Sequence, residues 1–132
     1  EKLQAIVSLR CAGYCQALFH IWFDEPEGFM EDRIKQHQDI RDELVQIYTA
    51  VEGVTTRPSD GGSYLFVTMP PLTVSIGDFV KIVRELAGVT VTPGTEFGPQ
   101  FVNSFRINFS QDHAAAVDAS KRLLTIMERY RK

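Results

Sequence analysis

Five residues near the end of the chain, Phe105-Arg106-Ile107-Asn108-Phe109, alternate strictly between apolar and polar side chains. In an extended strand that alternation puts Phe105, Ile107 and Phe109 on one face and Arg106 and Asn108 on the other. The apolar face has to be covered by other parts of the chain. The opposite face carries a guanidinium in mid-strand, which reaches water, pairs with an acid, or waits for an anionic ligand. Its fork of parallel N–H donors fits a carboxylate bidentately.

The remaining elements follow from periodicity and breakers. Leu3, Ile6, Val7, Cys11, Tyr14 and Leu18 recur at helical spacing, and the pattern fails at Asp24-Glu25-Pro26-Glu27-Gly28. A long second helix is expected from about Phe29 to Val51, with Met30, Ile34, His37, Ile40, Leu44, Ile47 and Val51 as its stripe and Gly53 as its C-terminal cap. Val54–Arg57 and Ser63–Met69 read as an antiparallel pair of strands around the turn Pro58-Ser59-Asp60-Gly61-Gly62, and Pro70-Pro71 ends the second. Ser75-Ile76-Gly77-Asp78 has the form of a capping box before a helix whose inward face is Phe79, Val80, Val83 and Leu86, with Gly88 as its stop. Val89–Thr92 reads as a short strand, and the loop through Ser104 carries Phe97 and Phe101, which need something to pack against. Ser110 is the expected cap of a last helix running to Tyr130, with Ala116, Val117, Leu123, Leu124, Met127 and Tyr130 inward.

Helices interleaved with too few strands for a doubly wound sheet give an α+β fold: a small, mostly antiparallel sheet of about four strands, helices on one face, preceded by two long helices. A chain of 132 residues with 44% hydrophobic and 23% charged side chains has the composition of one folded domain, neither disordered nor fibrous. The formal charge of −3 and the scatter of the basic residues give nucleic acid no electrostatic footprint. No apolar stretch approaches the ~20 residues needed to span a bilayer, and no secretory signal is evident. Cys11 and Cys15, four apart, match neither a disulfide framework nor paired zinc ligands. They read as small buried side chains, and a cytoplasmic location is expected.

Groups that carry catalysis are sparse. His20, His37 and His113 lie in different elements without metal-ligand spacing, so no metal site is expected. Gly61-Gly62-Ser63-Tyr64 lacks the flanks of a nucleophile elbow, and Gly94-Thr95-Glu96-Phe97-Gly98 lacks the Lys and the Ser or Thr of a phosphate loop. Glu25, Glu27, Glu31 and Asp32 surround a helix start, where the dipole favours negative charge in any case. No catalytic residue is assigned, and Arg106 remains the informative side chain.

Three blocks in order, Gly61-Gly62-Ser63-Tyr64-Leu65-Phe66, then Gly88-Val89-Thr90-Val91-Thr92-Pro93-Gly94-Thr95-Glu96-Phe97-Gly98, then Phe105-Arg106-Ile107-Asn108-Phe109-Ser110, carry a resemblance. Together with Gln16-Ala17-Leu18 and the long charged helix, they make the chain resemble the C-terminal portion of a class I/II aminotransferase, a pyridoxal-phosphate enzyme of fold type I. The resemblance implies that residues 1–52 are helices connecting to a large domain and residues 53–132 the small C-terminal domain. It implies that Arg106 binds the α-carboxylate of an amino acid or 2-oxo acid, and that the parent enzyme is a homodimer. Pyridoxal 5'-phosphate is the implied cofactor. Its Schiff-base lysine and its other ligands are expected in upstream sequence, because Lys2, Lys35, Lys81, Lys121 and Lys132 do not match the cofactor-lysine motif. The chain, which opens on Glu1 within a helical pattern, is accordingly expected to be part of a longer polypeptide and inactive by itself. Two other readings stay open: a non-catalytic amino-acid-binding or regulatory module using the same arginine, and a purely structural one in which Arg106 is a salt-bridge partner and the exposed aromatic loop a dimer contact.

Overall fold

The computed structural model describes residues 13–132, so the expectations for Leu3 to Cys11 lie outside the described residues. The chain divides into two compact units, Glu1–Arg33 and Ile34–Lys132.

In the first unit, α1 (Gly13–Phe23) has no buried residue. Tyr14 and Leu18, expected to point inward, are exposed, as are Phe19, Ile21, Trp22 and Phe23. A helix with apolar runs at 17–19 and 21–23 is apolar on several sides and cannot bury them all against one neighbour. Cys15 is likewise exposed, contrary to the expectation of a buried thiol, because it shares this open helix surface. Gly28, at φ +85°, turns the chain into the next helix, and its carbonyl accepts from Asp32 N at 3.0 Å.

That helix, α2 (Phe29–Thr49), carries Glu31 and Asp32 in its first turn and buries Ile40, Leu44 and Tyr48. Met30 and Ile34 are exposed, so only the C-terminal part of the expected stripe enters the core. Gly53 does not cap this helix. With φ +77° it shapes the following turn, where Val54 N donates to the Val51 carbonyl at 3.1 Å.

The second unit is built on an antiparallel sheet of three strands, ordered β1 (Tyr64–Thr68), β3 (Ser104–Asn108), β2 (Thr92–Pro93), with β3 central. Leu65 faces Ile107 and Val67 faces Phe105 across β1 and β3, and all four are buried. The expected fourth strand, Val54–Arg57, contributes a single bridge in which Thr55 and Thr68 exchange two backbone bonds of 2.8 Å. The ladder goes no further because the Thr56 hydroxyl, not a backbone amide, donates to the Phe66 carbonyl at 2.9 Å, and Pro58 follows. Of the strand expected at Val89–Thr92 only Thr92 is paired, opposite Arg106, and the pairing continues to Pro93, opposite Phe105. Val89 and Val91 are fixed by burial instead.

Helices α3 (Ile76–Ala87) and α4 (His113–Tyr130) complete the unit, and the buried side chains of all three helices join the same core as the inner sheet face. Each large apolar side chain removed from water there contributes roughly 1.5–3 kcal/mol. Helix α3 starts on the expected capping box: Asp78 N donates to Ser75 Oγ at 3.1 Å, and Ser75 Oγ donates to the Asp78 carboxylate at 2.7 Å. That bond, with help from Lys81, holds the Asp78 carboxyl below its ordinary range. Gly88 closes the helix at φ +65°. The inward face is Ile76, Phe79, Val83 and Ala87, and Leu86 is exposed, because the steps of four that join the last three rotate the stripe away from it. Helix α4 is capped by Asp112, whose carboxylate accepts from Ala115 N at 3.0 Å, not by Ser110. Between α2 and α4 lies a buried polar pair, Tyr48 OH donating to Ser120 Oγ at 3.1 Å.

Candidate functional site

On the sheet face away from the core, the period of two places Tyr64, Phe66 and Thr68 of β1 beside Arg106 and Asn108 of β3. Phe66 pairs with Arg106 on one side and Thr92 pairs with it on the other. The guanidinium therefore rises from the central strand, half-buried between two neighbours.

Its surroundings are aromatic. The Arg106 Cζ lies 4.3 Å from the centre of the Tyr64 ring and 5.0 Å from that of Phe97, both within cation–π range. Arg106 Nη2 donates to Thr92 Oγ1 over a long 3.5 Å. Among the described residues no carboxylate comes within ion-pair distance of Arg106. Two other half-buried arginines are answered by acids: Arg41 by Asp42 at 2.8 Å and Arg131 by Glu128 at 3.2 Å. Of the three fates open to a mid-strand guanidinium, internal neutralisation by a described residue is not the one observed.

The loop that follows β2 builds the rest of the wall. Gly94 opens a 3-10 turn over Gly94–Glu96, and Phe97 N donates to the Gly94 carbonyl at 2.8 Å. A Cβ on Gly94 would stand 2.5 Å from the Phe101 carbonyl oxygen and 2.6 Å from that of Ser104, so only glycine fits. This close approach folds the loop back over the sheet. Phe97 and Phe101 then meet Phe66 edge-on, with ring centres 5.6 Å and 5.1 Å apart. The packing partner that the two loop phenylalanines needed is thus Phe66, with Arg106 beyond it.

The other polar residues take structural places. His37 Nε2 is 3.0 Å from Ser110 Oγ, and His113 Nε2 is 2.7 Å from Glu43. Ser63 lends its carbonyl to Phe109 N at 2.8 Å, extending the strand pairing. Among the described residues no three His, Cys, Asp or Glu side chains gather as a metal site. No helix among them is long and apolar enough to cross a membrane.

Nothing local in the sequence marks Tyr64, Phe97 and Thr92 as partners of Arg106. The alternation in Tyr64-Leu65-Phe66-Val67-Thr68 was enough to put Tyr64 on the face away from Leu65 and Val67. Register, which decides that this face meets Arg106, is a long-range property that no local pattern carries.

Known proteins resemble this chain in sequence and in fold. Residues 3–122 match the model of the family "aminotransferase class I and II". An aspartate aminotransferase of Musicola paradisiaca (strain Ech703) is 29% identical over 102 residues, covering 73% of this chain and 25% of the relative. The crystal structure of an aspartate aminotransferase from Rhodobacter sphaeroides 2.4.1 superposes with a TM-score of 0.92 at 59% identity, covering 99% of this chain and 33% of that one. A PLP-bound protein from Clostridium difficile 630 shares the fold at 19% identity and a TM-score of 0.69, over 80% of this chain and 27% of that one. The chain thus spans about a quarter to a third of the length of these relatives. By the family match over most of its length the chain belongs to the aminotransferase class I and II family, of which it is a C-terminal region.

Proposed function

We propose that the protein containing this chain is a pyridoxal-phosphate-dependent aminotransferase in which Arg106 holds the α-carboxylate of the amino-acid or 2-oxo-acid substrate. The observation that carries the reading is the half-buried guanidinium, lined by Tyr64 and Phe97 and paired with no acid among the described residues. Removing such a cation partly from water is costly unless an anion answers it, and a carboxylate does so through two parallel N–H bonds. The names of the relatives, aspartate aminotransferases, support aspartate as an amino donor.

When bound, the cofactor supplies the electron sink for chemistry at the substrate α-carbon. The part played by this chain is binding and orientation. Arg106 fixes the carboxylate, and a carboxylate fixed at two oxygens leaves its α-carbon little freedom, which is worth on the order of several kcal/mol of barrier. The cofactor-holding lysine is proposed to lie outside these residues: Lys35, Lys81 and Lys121 are exposed on helices, and Lys81 is paired with Asp78 at 3.1 Å.

The test is Arg106→Ala and Arg106→Lys in the intact enzyme. Loss of a charge-assisted bidentate contact of about 3 kcal/mol raises the KM for aspartate roughly a hundredfold in the alanine variant, with the absorbance of the bound cofactor unchanged. Lysine, which keeps the charge and loses the fork, restores part of the affinity. An unchanged KM in both variants overturns the assignment.

A further inference from the structure

We propose that Tyr64 and Phe97 are positioning residues that hold the Arg106 guanidinium ready for the substrate carboxylate, an inference that rests on the reading of Arg106 as the carboxylate anchor. An arginine side chain has several rotatable bonds, and unless something fixes its head group, binding must freeze them. The polar contact available for this, Thr92 Oγ1 at 3.5 Å, is too long to set the direction of the fork. The two rings are closer in effect: their centres lie 4.3 Å and 5.0 Å from Cζ. Each presents a π-system attracted to the cation, and the guanidinium N–H groups, which point outward from Cζ, stay available to an anion.

The rings come from independent parts of the chain. Tyr64 stands at the start of β1, opposite Asn108 and therefore diagonal to Arg106. Phe97 follows the 3-10 turn and is supported by the edge contact with Phe66, at an interplanar angle of 84°. Phe66 is itself the residue paired with Arg106 in the sheet. The support of the guanidinium thus closes on itself: Arg106 to Phe97, Phe97 to Phe66, and Phe66 back to the strand that bears Arg106. Rings that are nearly half exposed, as Tyr64 and Phe97 are at 44% and 45%, contribute little to the core.

The experiment measures KM and kcat for aspartate in the intact enzyme with cofactor bound. Phe97→Leu and Tyr64→Leu keep apolar bulk and remove the π-face. Each is expected to raise KM about two- to fivefold with kcat held, and the pair together roughly five- to thirtyfold. Phe97→Tyr and Tyr64→Phe, which keep the ring, return KM to the parent value. The decisive arm repeats Phe97→Leu in the Arg106→Ala background, where the ring has no guanidinium to hold and its removal has no further effect on KM. Leucine variants that match the parent, or a Phe97→Leu penalty of the same size with and without Arg106, overturn the positioning role. A large effect of Arg106→Ala beside silent ring variants leaves the carboxylate anchor standing and removes only this inference. A silent Arg106→Ala removes both.

Discussion

Tyr48 and Ser120 are both fully buried, and the phenol donates to the serine hydroxyl at 3.1 Å. Tyr48→Phe removes the donor, leaves the Ser120 hydroxyl without its partner in the core, and is expected to cost about 1–1.5 kcal/mol at neutral pH. Alkali reverses the order. Burial pushes the Tyr48 phenol up to about 12, against an ordinary 10.0, with the Ser120 bond opposing the shift. Below pH 10 the phenol is protonated in both the folded and unfolded chain, and its contribution is fully present. As the pH rises from 10 towards 12 the unfolded chain gives up the proton and the folded chain keeps it, so stability falls by about 1 kcal/mol at pH 11 and about 2 kcal/mol by pH 12. The phenylalanine variant escapes this loss. The parent is therefore more stable at pH 7, and the two stabilities cross near pH ~11. Urea titrations of parent and variant at intervals from pH 7 to 12 measure the difference directly, because other alkaline titrations are common to both. A difference that does not change with pH refutes the argument from burial. In the double variant Tyr48→Phe with Ser120→Ala, which leaves no orphan hydroxyl, part of the neutral-pH loss is recovered.

Gly94→Ala places a methyl group against two backbone carbonyls that cannot rotate away. It is expected to cost about 3 kcal/mol and to disturb Phe97, read as a lower Tm together with a higher KM for aspartate. Ser75→Ala deletes the α3 cap, with an expected loss of about 1 kcal/mol in denaturant titration. The same change releases the Asp78 carboxyl, so its NMR titration moves up towards the ordinary value. In the parent the depressed Asp78 contributes stability above the ordinary carboxylate range that is lost as the pH falls through its folded value, and Ser75→Ala weakens this acid dependence.

What could be read from the sequence was local. The capping box at Ser75 and Asp78, the stop at Gly88 and the alternation around Arg106 depend on residues within a few positions of one another, and the structure shows each of them. Local signals mislead where a tertiary partner decides. Ser110 looks like a cap, but its hydroxyl is 3.0 Å from His37 and its amide donates to Asn108 Oδ1 at 2.7 Å, so the role falls to Asp112. Thr55 and Thr56 have the β-branched character of a strand, yet a threonine hydroxyl takes the carbonyl that a ladder amide would have used. The site was half legible. The arginine stood out because a charge is unusual in mid-strand, whereas its aromatic neighbours were hidden by their distance along the chain: residue 64 from β1, residue 97 from a loop, and residue 106 between them in space.

The pairing of β1 with β3 has one more consequence. Were β3 to slip by a single position, Ile107 would exchange places with Arg106 and the guanidinium would be driven into the hydrocarbon interior beside Leu65 and Val67. No nearby shift of one residue escapes that penalty, since apolar and polar side chains interchange along the whole strand. A charge in mid-strand thus makes the register of this sheet unambiguous, disfavouring the misaligned pairings that an all-hydrocarbon strand would tolerate.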